Sequence, residues 1–326
     1  MAKKGNIINK HKKFLMRLLS HHFLPRHVII EPSPKCNLKC ITCINSKLPN
    51  EANSYMSYDL FKSIIDQMRG SLPTAKAITL TGMGEPFLNP NLVSIVKYAK
   101  RSGLEVTLNS NLTIATEKDL LELIEAKLDK LSISMDGATK KTFELIRVKA
   151  IFENVLKRVI FTLRARQRLG VKRPKIYFNC VIIKENIHEA AKIIRLAEKL
   201  GVDGVYFNKP TYPRVKFSEI STYGLQVKEL SSAKVKVDVT YLSDVVPHCR
   251  APRSCYVTFD GRVLPCTIVA MTVPRSEYSL YELGNLTKQS LKEVWFSPRY
   301  RELRSRMIYF GSGCMPFCEW CPHANT

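Results

Sequence analysis

The sequence has few glycines, prolines and acidic residues, and it lacks a long run of apolar residues. Its 326 residues include 14 glycines and 17 prolines, which excludes a collagen-like or low-complexity chain. The mean hydropathy of -0.11 and the lack of an uninterrupted apolar run argue against a transmembrane protein. The apolar patch at residues 14–19 is too short for a secretory signal and contains Arg17. These features predict a globular protein of the cytoplasm.

Acidic residues are outnumbered, 28 against 51 lysines and arginines, so the formal net charge is +23. Residues 1–30 hold seven basic residues and no acid, and residues 140–175 hold twelve. These basic residues either form a solvated surface with no partner or attract an anionic substrate, a membrane or nucleic acid. Nucleic acid is disfavoured, because we find no recognition motif. Residues 11–23 are predicted to form a basic amphipathic helix that packs on the protein or touches an anionic surface.

Short apolar runs alternate with amphipathic helical stretches from residue 27 to about residue 207. Alternation of this kind predicts parallel strands joined by right-handed crossovers. Six such steps predict an α/β fold, a partial (β/α)6 TIM-like barrel, with its chemistry on the loops after the strands. The predicted strands are residues 27–31, 77–81, 105–108, 131–135, 175–182 and 205–207.

The pattern changes after residue 208. Residues 234–241 alternate as a strand, residues 254–266 are predicted to form a hairpin around Asp260 and Gly261, and helical stretches follow. We therefore divide the chain into a basic N-terminal segment at 1–26, a barrel at 27–210 and a small cysteine-rich extension at 211–326.

Ten cysteines are unevenly placed along the chain. Because the cytosol keeps thiols reduced, clustered cysteines there indicate a metal site rather than disulfides. Cys36, Cys40 and Cys43 follow the first predicted strand, with no fourth cysteine or histidine nearby to complete a structural zinc site. Three thiolates on a four-iron cluster leave one iron open to a small chelating ligand.

This CxxxCxxC motif resembles that of the radical S-adenosylmethionine (SAM) superfamily. The second strand ends in TGMGEP, which is similar to the family's Gly-Gly-Glu motif, whereas Thr42 replaces an aromatic residue that is usual in the family. The resemblance implies a SAM-binding [4Fe-4S] cluster on the three cysteines, with the SAM amino group near the glycine motif. It also implies that residues at the strand ends contact SAM. The alternative is that Asn109, Ser134 and Asp136 are ordinary turn or helix-cap residues. The implied cofactor-binding residues are Gly82, Met83, Gly84, Glu85, Asn109, Ser134, Asp136 and Val181.

The resemblance also implies a reaction. The reduced cluster passes one electron to SAM, and the resulting 5′-deoxyadenosyl radical takes a hydrogen atom from an unactivated carbon. Such an enzyme needs an external one-electron reductant such as flavodoxin or ferredoxin. The protein positions the cofactors and keeps water out.

A second cysteine group resembles the SPASM or twitch extension of some radical SAM enzymes. It contains Cys249, Cys266 in a Gly-x4-Cys pattern, and a Cys-x2-Cys pair near the C-terminus. The resemblance implies one auxiliary [4Fe-4S] cluster, with zinc as the alternative, and with Cys255 or Cys314 as possible replacements among the ligands. The implied ligands are Cys249, Cys266, Cys318 and Cys321. Cys180 stands apart in a strand pattern and is expected to be a buried core thiol.

An auxiliary cluster suits a reaction in which the substrate radical loses an electron. We therefore predict oxidative modification of a small polar or sugar-like molecule that can carry negative charge. The alternative is a peptide- or protein-modifying maturase, and a nucleic-acid-modifying enzyme is less favoured. The sequence identifies no catalytic base; Asp244, His248, Tyr206 and Tyr212 are only weak candidates.

Overall fold

The computed structural model describes residues 24–47, 54–211, 233–241, 249, 251–310, 315 and 318. Ten strands form one sheet, and the predicted basic helix at residues 11–23 lies outside the described residues. The strands are β1 (His27–Ile30), β2 (Ala77–Leu80), β3 (Glu105–Ser110), β4 (Lys130–Ser134), β5 (Lys175–Val181), β6 (Gly204–Asn208), β7 (Lys236–Tyr241), β8 (Ser254–Val257), β9 (Arg262–Leu264) and β10 (Gly284–Asn285).

Helices connect the strands, and their starts follow local sequence signals. Ser57 caps the helix at Tyr58–Ser71 by accepting a hydrogen bond from the Leu60 backbone N–H at 3.2 Å. Thr116 and Asp119 form a capping box at the start of the helix at Glu117–Glu125. Within the described residues, no helix is both long and apolar enough to cross a bilayer. The helices are α1 (Tyr58–Ser71), α2 (Leu92–Arg101), α3 (Glu117–Glu125), α4 (Lys140–Ile146), α5 (Phe152–Arg168), α6 (Ala190–Leu200), α7 (Thr267–Thr272), α8 (Tyr278–Tyr281), α9 (Leu291–Phe296) and α10 (Pro298–Phe310).

The sheet order is β10-β9-β8-β1-β2-β3-β4-β5-β6-β7. Strands β1 to β7 pair in parallel with their neighbours in chain order, which confirms the predicted α/β fold with a mostly parallel, partial TIM-like sheet. Two features were not predicted. The strand predicted at residues 234–241 forms β7, but it pairs in parallel with β6 as a seventh strand, and β8 pairs in parallel with the free edge of β1. The extension therefore continues the sheet, and the domain boundaries stay a prediction.

The two faces of the sheet differ in their exposure. Alternate residues of β1 to β6, such as Val28, Ile78 and Leu108, are buried in the main apolar core together with helix residues. The other face carries half-buried side chains, most of them polar, and we call it the open face. Its side chains include His27, Thr79, Thr107, Asn109, Lys130, Ser134, Tyr177, Asn179, Val181, Tyr206 and Asn208.

Candidate active site

The first cysteine group lies on the loop that follows β1, which we call the cysteine loop (residues 31–43). Cys40 is buried, Cys36 and Cys43 are half-buried, and all three are free thiols. Burial raises the pKa of Cys36 to about 12. A hydrogen bond of 3.5 Å from the Leu38 backbone N–H to its sulfur acts in the opposite direction but is weaker. Burial likewise raises the pKa of Cys40 and of Cys43. Thiols buried in this way stay protonated unless a bound metal centre stabilises the thiolate.

The donor set fits a multi-iron cluster. In a four-iron cluster each thiolate binds a different iron, so its ligands stand apart. Cys36, Cys40 and Cys43 are soft sulfur donors on one short loop, and they therefore match an iron–sulfur cluster.

The glycine turn (residues 82–85), which follows β2, lies directly against the cysteine loop. A Cβ atom on Gly84 would overlap the backbone carbonyl oxygens of Ser33 and Lys35, and the Glu85 backbone N–H donates to the Lys35 oxygen at 2.6 Å. The Asn45 amide also donates to the Met83 carbonyl oxygen at 2.8 Å. Glycine at position 84 is therefore required by close backbone packing between the two segments.

The carboxylate of Glu85 joins the ends of β2 and β3. It is 3% exposed and accepts hydrogen bonds from Ser110 Oγ at 2.6 Å and from the Asn111 backbone N–H at 2.8 Å. Burial raises the pKa of Glu85 to about 7, although these hydrogen bonds oppose the shift. The Asn111 amide then lies 3.7 Å from Cys36 Sγ. Glu85 thus fixes a side chain that contacts the cysteine loop.

A buried ion pair lies on the other side of the cysteine loop. Asp136 follows β4 and is fully buried. Its Oδ2 accepts from Arg147 Nε at 2.6 Å, and its Oδ1 accepts from the Val181 backbone N–H at 2.8 Å. Arg147 Nη1 lies 4.0 Å from Cys40 Sγ. Burial acts to lower the pKa of Arg147, but the charges of Asp136 and Cys40 more than offset it and raise that pKa. The site therefore places a permanent positive charge beside a thiol.

The structure brings the predicted glycine motif to the cysteine loop and places Asn109 and Ser134 on the open face. These two side chains are half-buried, and Ser134 lies opposite Asn179 in the sheet register. Val181 is half-buried at the end of β5. By contrast, the described contacts of the Glu85 and Asp136 carboxylates are with the protein itself. The roles of all eight residues in SAM binding stay predictions.

Sequence reasoning missed several residues that organise this site. Glu31, at the end of β1, is fully buried and accepts from the Met83 backbone N–H at 2.9 Å. Its carboxylate also binds Arg275 at two points, 3.0 and 2.6 Å. Asn45, Asn111 and Arg147 were missed as well. A carboxylate directly after an apolar strand was the available signal for Glu31, whereas no sequence spacing pointed to Arg275.

In the extension, three of the predicted auxiliary ligands lie near one another. Cys318 belongs to a second apolar cluster, against which Cys249 and Cys266 pack. Burial raises the pKa of Cys266 to about 12, and the charges of Cys249 and Cys318 add to that effect. Cys321 lies outside the described residues, so the four-ligand set stays a prediction.

The remaining cysteines have different surroundings. Cys255 is fully buried in β8 and belongs to the main core, and it remains an open alternative as a ligand. Cys314, the other alternative, lies outside the described residues. Cys180 is fully buried in β5, where the Asn186 amide lies 3.8 Å from its sulfur. This confirms the prediction of a core thiol at position 180.

Comparison with known protein families agrees with this geometry. The Radical SAM superfamily model matches residues 30–197, and the model of the SPASM iron-sulfur cluster-binding domain matches residues 249–322. The chain belongs to the radical SAM superfamily. It is a radical SAM enzyme with a C-terminal SPASM domain; the first domain binds SAM and a [4Fe-4S] cluster, and the second binds auxiliary iron–sulfur clusters.

Its relatives act in different processes, as their names state. The chain is 26% identical to a tungsten-containing aldehyde ferredoxin oxidoreductase cofactor-modifying protein of Pyrococcus furiosus, over 86% of this chain and 83% of that protein. It is 24% identical to an AdoMet-dependent heme synthase of Methanosarcina barkeri, over 86% and 85%. It is 25% identical to a PqqA peptide cyclase of Methylocella silvestris, over 86% and 76%.

Solved structures share the fold at low sequence identity. Streptococcus suis SuiB bound to its precursor peptide SuiA superposes with a TM-score of 0.68 at 15% identity, covering 93% of this chain and 72% of that one. The enzyme anSMEcpe with bound AdoMet gives 0.63 at 19%, over 85% and 82%. These likenesses concern the fold and leave the substrate open.

Proposed function

We propose that this enzyme oxidatively modifies a small polar or sugar-like molecule that can carry negative charge. The observation that carries the proposal is the chemistry of the open face. That face presents hydroxyl and amide groups where the predicted cofactor residues Asn109 and Ser134 lie, so it is suited to a substrate rich in hydrogen-bonding groups.

The site residues have separate tasks in this proposal. Cys36, Cys40 and Cys43 would hold the first cluster, and Arg147 offsets negative charge beside it. When bound, SAM and the reduced cluster supply a 5′-deoxyadenosyl radical, which removes a hydrogen atom from the substrate. Glu31 and Glu85 fix the glycine turn and the ends of β2 and β3, so that the cofactor-facing backbone is held in place before binding.

Side chains of β4, β5 and β6 add polar groups and a positive charge to the open face. The Asn208 amide donates to Asn179 Oδ1 at 2.5 Å, so amide groups of two neighbouring strands meet on the open face. The Lys130 ammonium lies over the Tyr177 and Tyr206 rings, at 5.2 and 5.6 Å from their centroids. Cation–π contacts orient the ammonium without neutralising it. Lys130 begins β4, so this charge lies on the open face at the end of the sheet opposite the cysteine loop.

A peptide or protein side chain is the second candidate. It is favoured by the named activity of the PqqA peptide cyclase and by the peptide-bound SuiB structure. Modification of nucleic acid is less favoured. For either substrate class, the proposed enzyme works in the cytoplasm with an external one-electron donor of the flavodoxin or ferredoxin type. The auxiliary cluster would serve the step in which the substrate radical loses an electron.

The test is substrate-dependent SAM cleavage. The reconstituted enzyme is incubated anaerobically with SAM, a reductant and pools of deuterated polyols, sugar phosphates or peptides, and 5′-deoxyadenosine is analysed by mass spectrometry. Deuterium transfer from a polar small molecule supports the proposal, and transfer from peptides alone contradicts it. Asn179→Ala should lower transfer while leaving uncoupled SAM cleavage intact. Gln167→Ala, on the exposed surface of α5, is the matched control and should change neither.

A further inference from the structure

Arg304 is a fully buried arginine without a hydrogen-bonding partner. It lies in α10 at 0% exposure, and its Nε, Nη1 and Nη2 atoms are all unsatisfied among the described residues. Arg147 and Arg275, each 13% exposed, differ from it, because Arg147 pairs with Asp136 and Arg275 pairs with Glu31. Since arginine stays protonated in proteins, this position holds an uncompensated buried charge.

The contacts of Arg304 do not remove its need for an anion. Its guanidinium carbon lies 4.4 Å from the centroid of the Trp295 ring and 4.6 Å from that of Tyr300. Aromatic faces stabilise a cation, but they supply no acceptor for its five N–H groups. The nearby acidic side chains are directed elsewhere: Glu293 accepts from Ser290 at the cap of α9, and Glu302 is exposed. The missing anion is therefore absent from the described chain.

Helix α10 lies between the two apolar clusters. Tyr300 belongs to the main core together with Cys255, whereas Leu303 and Met307 contact the second cluster. The positive charge of Arg304 acts to lower the pKa of Cys255, although burial raises that pKa to about 12 overall. Tyr300 lies within electrostatic range of both Cys255 and Cys266. One turn further along α10, Met307 packs in the second apolar cluster, which contains Cys318. The helix that carries Arg304 therefore packs against the apolar cluster that holds Cys318, within the residues matched by the SPASM domain.

We propose that Arg304 is the buried counter-charge of an auxiliary iron–sulfur cluster and a positioning residue that sets its reduction potential. Because the side chain is fully enclosed, a diffusing substrate or buffer anion has no access, and the anion must be resident. A cluster with thiolate ligands is such an anion, and its sulfur atoms accept hydrogen bonds. The inference rests on the SPASM domain and is independent of the substrate proposed above.

The test measures the auxiliary cluster alone. In a parent variant with Cys36→Ala, Cys40→Ala and Cys43→Ala, the first cluster is lost, so the remaining iron belongs to the extension. The variants compared are Arg304→Gln, Arg304→Lys and, as a control, Arg299→Gln, which removes the same charge from an exposed position of the same helix. Iron content, melting temperature and an anaerobic redox titration followed by electron paramagnetic resonance are recorded for each.

Arg304→Gln should shift the reduction potential to a more negative value, since the reduced cluster carries one more electron and loses its counter-charge. Arg304→Lys should keep most of the parent potential, and Arg299→Gln should match the parent. A lower melting temperature with an unchanged potential would show a purely structural role and overturn the proposal.

Two further outcomes also decide the matter. If Arg304→Gln retains no iron, the iron content of Arg304→Lys is compared with that of the parent variant instead. Iron retained there supports the counter-charge, and iron lost from a folded lysine variant contradicts it. A folded parent variant that binds no iron would overturn the proposal together with the auxiliary cluster itself, whereas failure to find a polar substrate would leave it untouched.

Discussion

Glu31 and Arg275 form a buried two-point ion pair across 244 positions of the chain, with N–O distances of 3.0 and 2.6 Å. Glu31 follows β1 directly and also accepts a hydrogen bond from the Met83 backbone N–H of the glycine turn at 2.9 Å. Arg275 belongs to the extension. One carboxylate therefore connects the SPASM region to the segment predicted to bind SAM, and the position of each depends on the other.

Replacing Arg275 with methionine should destabilise the protein strongly. The Glu31 side chain is 0% exposed, so it would keep a buried charge without its partner, which costs roughly 3–5 kcal/mol. Urea unfolding of the anaerobic protein measures this loss. The control is Arg262→Met, since Arg262 pairs with Asp260 at 37% and 34% exposure and surface pairs contribute about 0–1 kcal/mol. Equal losses in the two variants would contradict the account.

Two glycine-to-alanine substitutions should differ in their consequences: Gly84→Ala should weaken SAM binding, and Gly70→Ala should raise the stability of the protein. In Gly84→Ala the new methyl group would displace the cysteine loop at Ser33 and Lys35, so SAM binding, measured by equilibrium dialysis, should fall by at least tenfold. Gly70 lies in α1 with open space around it, and its change to alanine should stabilise the protein by about 0.5–1 kcal/mol. Normal SAM affinity in Gly84→Ala would show that the two segments are not tightly coupled.

Arg147 should help the cysteine loop to retain iron. Its guanidinium lies between Asp136 and Cys40, and a charge-assisted contact favours the thiolate form that binds metal. Arg147→Met should therefore lose iron from the first cluster faster than the wild type when a chelator is added. Arg164→Met removes an exposed arginine of the same basic region, and it should behave as the wild type does. Identical rates for all three proteins would refute this role.

Glu189 should make stability depend on pH. Burial acts to raise its pKa, but hydrogen bonds from Thr139, Ala138 and Thr142 more than offset this and lower the pKa. Its contribution is therefore complete above the ordinary glutamate pKa of about 4.3 and is lost as the pH falls through the lowered value. Wild type should exceed Glu189→Gln in unfolding free energy at pH 7, and this advantage should shrink at pH 4. The exposed Glu125→Gln control should show no such change, and a pH-independent difference for Glu189→Gln would contradict the assignment.

The sequence predicted the parallel strands and the cysteine motifs because both depend on local patterns. Apolar runs bounded by helices located β1 to β6, and the Cys36, Cys40 and Cys43 spacing is read within eight residues. Local patterns could not predict that β8 pairs with β1, because this pairing depends on which edge of the sheet is free after folding. The same holds for Arg275 and Arg304, whose importance comes from burial and from distant partners that no local spacing encodes.

The most direct test of the central claim is the iron, acid-labile sulfide and zinc content per chain after anaerobic purification and reconstitution. Two [4Fe-4S] clusters would give about eight irons in the wild type and about four when Cys36, Cys40 and Cys43 are all changed to alanine. About four irons, all lost in that variant, would remove the auxiliary cluster and with it the oxidative proposal. Zinc without iron in both proteins would contradict the account as a whole.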